Sequence, residues 1–388
     1  MAEPRKLRVG MVGGGGPNNF FGAPHRRAIL MDNTAELTAG ALRSDPQGSM
    51  EAAKELYFTR GYPDYQTMFR EEAALPANQR IDYVTIVTPN DSHYPIAKAA
   101  LEAGIPVLCE KPLTLTLDES LDLVRLARQT NLPFTVAYSY TGLPMVMLAR
   151  ELVRGGEVGQ IRKVEAWYPQ GWLASPLEQE GAQQAVWRVD PTKAGASGCG
   201  GDIGTHAYEF VRFVAGLGAA QVQARLHTFV PGRRLDDDFA VFARLTNGAL
   251  ATITASQVNI GAQNDNGFRV VGEKGTVEWT MLDHMSLRLY KPGAPVATYR
   301  LGAEYGYFPE SIKPYLRLPS GHPEAFHEAL ANLHKTHQLQ IRRRMGENVP
   351  DPFPHPDVVD GAAGLAFVEA AVKSSESDGA WTEVKQVE

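Results

Sequence analysis

The chain has 388 residues, 44% of them hydrophobic and 21% charged, which is long enough for two domains and ordinary for a globular protein. A formal net charge of −6 argues against nucleic acid or an anionic membrane as the main partner. The two cysteines, Cys109 and Cys199, exclude a disulfide framework and a paired-cysteine metal site. The opening MAEPRKLRVG lacks the apolar core of a secretion signal, and no later run has the length of a membrane span, so the expectation is a cytoplasmic protein.

Residues 1–138 alternate short apolar runs with amphipathic stretches. LRVGMVG (7–13), AELTAGAL (35–42), DYVTIVT (82–88), IPVLCE (105–110) and PFTVAY (133–138) read as strands, and helical patterns such as 92–104 and 117–130 lie between them. That alternation predicts an α/β fold with a doubly wound parallel sheet, a Rossmann-type dinucleotide-binding domain. Its first turn carries the phosphate-loop signal. Gly13 and Gly15 sit where a strand becomes a helix, so the backbone can approach a pyrophosphate and the helix N-terminus can offer free N–H groups. The third glycine is displaced to Gly22, which predicts a loop lengthened by four residues. After the second strand, Arg43 and Ser44 could hold a 2′-phosphate, whereas Asp45 could hold the ribose diol. NAD is the expected cofactor, with NADP left open.

From 139 to 388 the pattern changes to successive strands joined by tight turns, over 162–172, 219–230, 238–248, 249–260, 267–279 and 285–293. A helical stretch at 201–216 interrupts them, and helices near 322–343 and 357–374 close the chain. This predicts an α+β domain with a large, open, mostly antiparallel sheet for substrate binding and oligomerisation.

Two further motifs follow strands at the carboxyl edge of the first sheet, where doubly wound folds bind ligands: VTPNDSHY (87–94) and CEKPLTLTLDES (109–120). Together with GDIGTHAYEF (201–210), they resemble the Gfo/Idh/MocA oxidoreductases, nicotinamide-dependent sugar and cyclitol dehydrogenases. The resemblance spans essentially the whole chain. It implies that Thr88, Pro89, Asn90 and His93 line the cofactor, as do Glu110 and Lys111. It also implies that Lys111, Asp202 and His206 form the catalytic set. Ser139 departs from the asparagine that is common in the family, and the long glycine loop is a second departure.

The chemistry suits those residue types. Oxidising a secondary alcohol removes a hydroxyl proton as hydride leaves carbon, and a histidine can accept and return that proton near neutrality. Asp202 and His206, four residues apart, fall on one helix face. Lys111 can stabilise charge on the same oxygen. His206 is assigned the acid/base role, Lys111 polarisation and Asp202 substrate binding or histidine orientation; the first two could be exchanged. Asp and His at this spacing could bind zinc, but with no third ligand evident no metal is expected.

Tyr168, Gln170, Trp172, Trp187, Arg188 and Lys193 are candidates for one wall of a sugar site, with His322 as an outlying candidate. Arg188 and Lys193 could also hold an anionic substituent; equally, the tryptophans could be packing residues.

The expected function is hydride transfer between NAD(P) and a secondary hydroxyl of a pyranose or pyranoside. The alternative is an NAD-dependent glycoside hydrolase that works by transient C3 oxidation and elimination, as on a sulfoquinovoside. A non-catalytic nucleotide-binding sensor is the third reading. A homodimer or homotetramer is implied by the resemblance.

Overall fold

The structure is a computed structural model that describes residues 5–387; positions 1–4 of the charged lead and position 388 lie outside the described residues. It divides into two compact units. The first comprises residues 1–114, 118–142 and 325–358, and the second comprises 115–117, 143–324 and 359–388. Residues 325–358, late in the chain, belong with the first unit.

The first unit holds a six-stranded parallel sheet of β1 (Leu7–Gly13), β2 (Ala35–Ala41), β3 (Arg60–Gly61), β4 (Tyr83–Val87), β5 (Val107–Cys109) and β6 (Phe134–Val136). The order is β3-β2-β1-β4-β5-β6, with every pairing parallel. β1, β4 and β5 are near-continuous apolar runs because helices cover both faces of such a sheet. β3 escapes sequence reading because it is two residues, Arg-Gly, without an apolar run. The returning helix Phe326–Arg344 packs on helix Gly22–Met31, where Ala28 meets Leu330 and Ala331. It also approaches the turn Ser139–Gly142 so closely that a Cβ on Gly142 would lie 2.1 Å from the Ala329 carbonyl oxygen.

The second unit holds β7 (Ile161–Pro169), β8 (Ala219–His227), β9 (Asp238–Leu245), β10 (Leu250–Ser256), β11 (Gly267–Gly272), β12 (Thr276–Thr280), β13 (Ser286–Tyr290), β14 (Ala297–Arg300) and β15 (Thr382–Glu383). They form one nine-stranded sheet in the order β14-β13-β12-β11-β7-β10-β9-β8-β15. Only β7 and β10 pair in parallel; the other pairings are antiparallel. A parallel pair needs a long crossover, and the connection after β7 includes the helical stretch 200–215. One sheet face is apolar: along β9, Phe239, Val241, Ala243 and Leu245 are buried while Phe242 and Arg244 point to solvent. The helices pack on that face, with Phe210 against Phe268 and Trp279 and Tyr208 stacked on Phe367 at 4.0 Å.

Candidate active site

In the first unit, the carboxyl ends of β1 and β4 mark the point where strand order reverses, which is where a doubly wound sheet opens a ligand crevice. Gly13 and Gly14 adopt φ of +85° and +75°, a region that side chains resist. A Cβ on Gly14 would stand 2.8 Å from the Gly22 Cα, and one on Gly22 would stand 2.5 Å from the Gly14 Cα and carbonyl oxygen. Gly22 thus opens the helix and packs on the turn. Gly15 packs on the end of β2, where a Cβ would meet the Leu42 oxygen at 2.5 Å. This is a backbone cradle that any Cβ would fill, and it fits a dinucleotide.

The inserted residues change the expected helix N-terminus. Asn19 Oδ1 accepts the N–H groups of Phe21 and Gly22 at 3.2 and 2.8 Å, and the Ala23 N–H donates to the Asn19 carbonyl. The insertion thus supplies its own cap, so those N–H groups are not free as the sequence reading expected. Arg26, nearly buried, fastens the loop by donating to the carbonyls of Gly14, Gly16 and Pro17. Burial pushes its guanidinium below the usual arginine range, though not out of the charged form at neutrality.

At the end of β2, Arg43 and Ser44 are exposed, and Arg43 Nε donates to the Gly15 carbonyl at 2.8 Å. Asp45 is the N-cap of helix Pro46–Glu55, accepting the Gly48 N–H on Oδ2 at 2.6 Å. The candidate for the ribose diol is therefore also a helix cap.

Beyond β4, the Thr88 and Ser92 hydroxyls are 2.8 Å apart and Asn90 is nearly buried in the turn Asn90–Ser92. His93 is fully buried. Its ring nitrogens face the Pro112 carbonyl at 2.8 Å and the Thr88 carbonyl at 2.9 Å, so it ties the Thr-Pro-Asn turn to the Glu-Lys-Pro turn. Burial pushes this imidazole down, and the two carbonyls only partly oppose that. His93 is therefore a brace between two turns. The Lys111–Pro112 peptide is cis, and Glu110 Oε2 accepts the Lys111 N–H at 3.1 Å.

In the second unit, Asp202 lies in a π-helical turn, Gly200–Gly204, and His206 in the α-helical turn Thr205–Phe210 that follows. Such π turns recur at functional sites. Asp236 anchors the start of this helix, accepting the N–H groups of Gly198 and Gly200 at 2.8 and 3.0 Å. Its burial raises its carboxyl despite those bonds. Sequence reading did not single out Asp236, Gln257 or Asn264.

Most of the predicted pocket residues meet in one network. Arg188 Nε donates to Asp202 Oδ2 at 2.8 Å, and Gln257 Nε2 donates to the same oxygen at 2.9 Å. The Arg188 guanidinium lies over Trp187 at 4.1 Å and Trp172 at 5.5 Å, and it also donates to Gln184. The Trp172 indole donates to Gln170 Oε1, while Gln170 and the Tyr168 hydroxyl both donate to Asn264 Oδ1. The Tyr168 ring packs on His206, centroids 5.8 Å apart, and His206 is nearly buried. Lys193 is exposed on the short helix Pro191–Ala194. His322 lies on an exposed turn against the carbonyls of Pro319 and Ser320. Cys199 is buried, and burial pushes its thiol well up, so it packs as a small apolar residue.

Comparison with known proteins gives the family. Residues 7–138 match the model of an oxidoreductase family with an NAD-binding Rossmann fold, and residues 146–278 match the GFO/IDH/MocA C-terminal domain. The chain is 34% identical to the uncharacterized oxidoreductase YfiI of Bacillus subtilis, over 98% of each protein. It is 30% identical to a levoglucosan dehydrogenase from Pseudarthrobacter phenanthrenivorans, over 70% of this chain and 73% of that protein. The crystal structure of an inositol dehydrogenase homologue from Azotobacter vinelandii, complexed with NAD+, superposes with a TM-score of 0.90 at 33% identity, covering 99% of this chain and 100% of that one. The cradle at Gly13–Gly15 is thus part of an NAD-binding Rossmann domain, and the chain belongs to the Gfo/Idh/MocA oxidoreductase family.

Proposed function

We propose that the chain oxidises a secondary hydroxyl of a neutral cyclic polyol, a sugar or cyclitol, and runs the reverse reduction. The observation that carries this reading is the Asp202 clamp. Arg188 and Gln257 hold one carboxylate oxygen of Asp202 on the same helical stretch as His206. A fixed, ionised acceptor suits substrate hydroxyls, and a buried imidazole one helical turn on suits their deprotonation. Arg188 already pairs with Asp202, so its charge is partly met before any substrate binds. The levoglucosan and inositol relatives favour the same neutral class.

Bound NAD supplies the hydride acceptor. His206 accepts the hydroxyl proton as the carbon–hydrogen bond breaks, and it returns that proton in reduction. Lys111 donates a hydrogen bond to the same oxygen and so stabilises its developing negative charge. Asp202 accepts a neighbouring hydroxyl and sets the ring's orientation. Gly13, Gly15 and Gly22 hold the pyrophosphate segment; Thr88, Pro89, Asn90, His93 and Glu110 line or brace the nicotinamide side; and Asp45 serves the ribose. Tyr168, Gln170, Trp172 and Trp187 shape the sugar wall. The homodimer or homotetramer reading comes from the resemblance; the outer sheet face, where Phe242 and Leu250 are 60% and 55% exposed, is available to a partner subunit.

The test is turnover of levoglucosan, myo-inositol, free pyranoses and aryl glycosides, with NAD in excess or substoichiometric. One NADH per oxidised polyol, without aglycone release, supports the reading. Many aglycones released per NAD would overturn it in favour of the redox glycosidase.

A further inference from the structure

The first unit contains a buried chain of polar side chains that ends beside Lys111. Glu110 Oε1 lies 2.8 Å from His25 Nε2, and His25 Nδ1 lies 3.0 Å from His334 Nε2. His334 Nδ1 is 3.1 Å from the Tyr83 hydroxyl, which also accepts Gln338 Nε2 at 3.1 Å. Thr34 Oγ1 then donates to Gln338 Oε1 at 2.7 Å. His25, Tyr83 and His334 are essentially unexposed. The chain joins the helix that opens at Gly22, the strand end carrying Glu-Lys-Pro, and the returning helix Phe326–Arg344.

A buried row of titratable groups is costly unless every proton has a partner, so the proton positions can be derived. Thr34 donates to the Gln338 carbonyl oxygen, which turns the Gln338 amide nitrogen toward the Tyr83 oxygen. Tyr83 must then donate its own proton to His334 Nδ1, because burial pushes its phenol up and keeps it protonated. Burial and the neighbouring His25 and His337 push the His334 imidazole well down, so it is neutral and its single N–H is on Nε2. That N–H donates to His25 Nδ1, leaving His25 Nε2 to donate to Glu110. Every donor in the row points one way, toward the carboxylate.

We propose that His25 and His334 are positioning residues for the reaction: a one-way row of donors that fixes Glu110 as an oriented carboxylate beside Lys111. The inference rests on Lys111 acting in the proposed dehydrogenation. Burial alone would raise the Glu110 carboxyl, but the hydrogen bond from His25, together with Lys111, holds it below the usual carboxylate range. Glu110 Oε2 also accepts the Lys111 backbone N–H at 3.1 Å, so the fixed carboxylate is held against that residue. The other titratable groups around the row are few. Cys109 and His93 adjoin Glu110, His337 adjoins His334 and Tyr83, Asp82 acts on Tyr83, and His355 lies beyond His337. Burial keeps the Cys109 thiol neutral.

The tautomers are read first, by nitrogen NMR of the imidazoles in full-length protein without ligand, which does not depend on any assumed activity. The expected result is a neutral His334 protonated on Nε2; a His334 protonated on Nδ1, or a doubly protonated one, would overturn the row. The second reading is the pH profile of kcat/KM for levoglucosan or myo-inositol oxidation in wild type, Y83F, H334Q, E110Q and E110Q/H334Q. The basic limb is expected to move down by about one pH unit in E110Q and part of that way in Y83F and H334Q, with no further shift in the double variant. Activity lowered equally at all pH values, with an unmoved limb, would mean the row only holds the fold together and would overturn the proposal. If K111M keeps the wild-type rate and limb, the assignment of Lys111 fails instead, whatever the tautomers show.

Discussion

Replacing Gly22 by alanine tests whether the lengthened loop is still a working dinucleotide turn. The new Cβ would stand 2.5 Å from the Gly14 Cα and carbonyl oxygen, backbone atoms with no flexible end to yield. Non-bonded carbon atoms settle at about 3.5–4.0 Å, so loop and helix must separate by about 1 Å. The turn cannot easily absorb this, because Gly14 is at φ +75° and Arg26 holds its carbonyl. The expected cost is about 1–3 kcal/mol of stability, as for other forced insertions into packed sites. The same displacement should weaken NAD binding about tenfold or more, since the cradle is the part that moves. Thermal unfolding and calorimetric NAD titration read the two effects. Gly16 is the internal control: a Cβ there meets nothing closer than 3.7 Å and its φ is ordinary, so G16A should resemble wild type. If G22A binds NAD and melts like wild type, or G16A is equally damaging, the reading of Gly22 as the third glycine is refuted.

Four further outcomes are expected. Glu72 is fully buried and accepts Arg60, the Tyr62 hydroxyl and the Ile81 N–H, so E72Q should cost about 3 kcal/mol by chemical unfolding. In the same variant the Tyr62 phenol, pushed up to about 12 by burial and then by Glu72, should titrate closer to 10 by ultraviolet absorbance. Arg188→Met should leave the fold intact but lower kcat for polyol oxidation about 10- to 100-fold, because Asp202 keeps only Gln257 of its two named donors; an unchanged kcat would remove Arg188 from the site. Acid should weaken the first unit early. His337 is pushed down to about 3 by burial, whereas the unfolded chain binds its proton near pH 6.5. A histidine depressed in the folded state contributes stability that is present above pH 6.5 and lost as the pH falls below it. Moving from pH 7.5 to 5.5 should therefore cost about 1.4 kcal/mol through His337, with His334 adding in the same direction. Urea unfolding at the two pH values checks this, and equal stability would contradict it.

The parallel sheet was legible because buried strands such as LRVGMVG and YVTIV must be apolar along their whole length. The short strands β3, β14 and β15 were not, since edge pairs of two to four residues carry no such run. The return of helix Phe326–Arg344 to the first unit was also hidden: its apolar positions announce a buried helix without naming what it packs against. Lys111, Asp202 and His206 stood out through motif and spacing. Arg188 was expected on one wall of a sugar site, with an anionic substituent as a further option, but nothing in the sequence shows that it would pair with Asp202. Gln257 and Asn264 come from segments distant in sequence, so only tertiary structure brings them to Asp202 and Tyr168. The Glu110–His25–His334 row was invisible for the same reason, as residues 25 and 334 share no local pattern.

On the proposed function, hydride passes directly from a polyol ring carbon to NAD. The most direct measurement incubates the full chain with NAD and either levoglucosan or myo-inositol deuterated at every ring carbon, followed by mass analysis of the reduced cofactor. One deuterium on the nicotinamide ring per NADH formed, lost together with turnover in H206A, is the expected result. NADH without deuterium, or full transfer in H206A, would contradict the account.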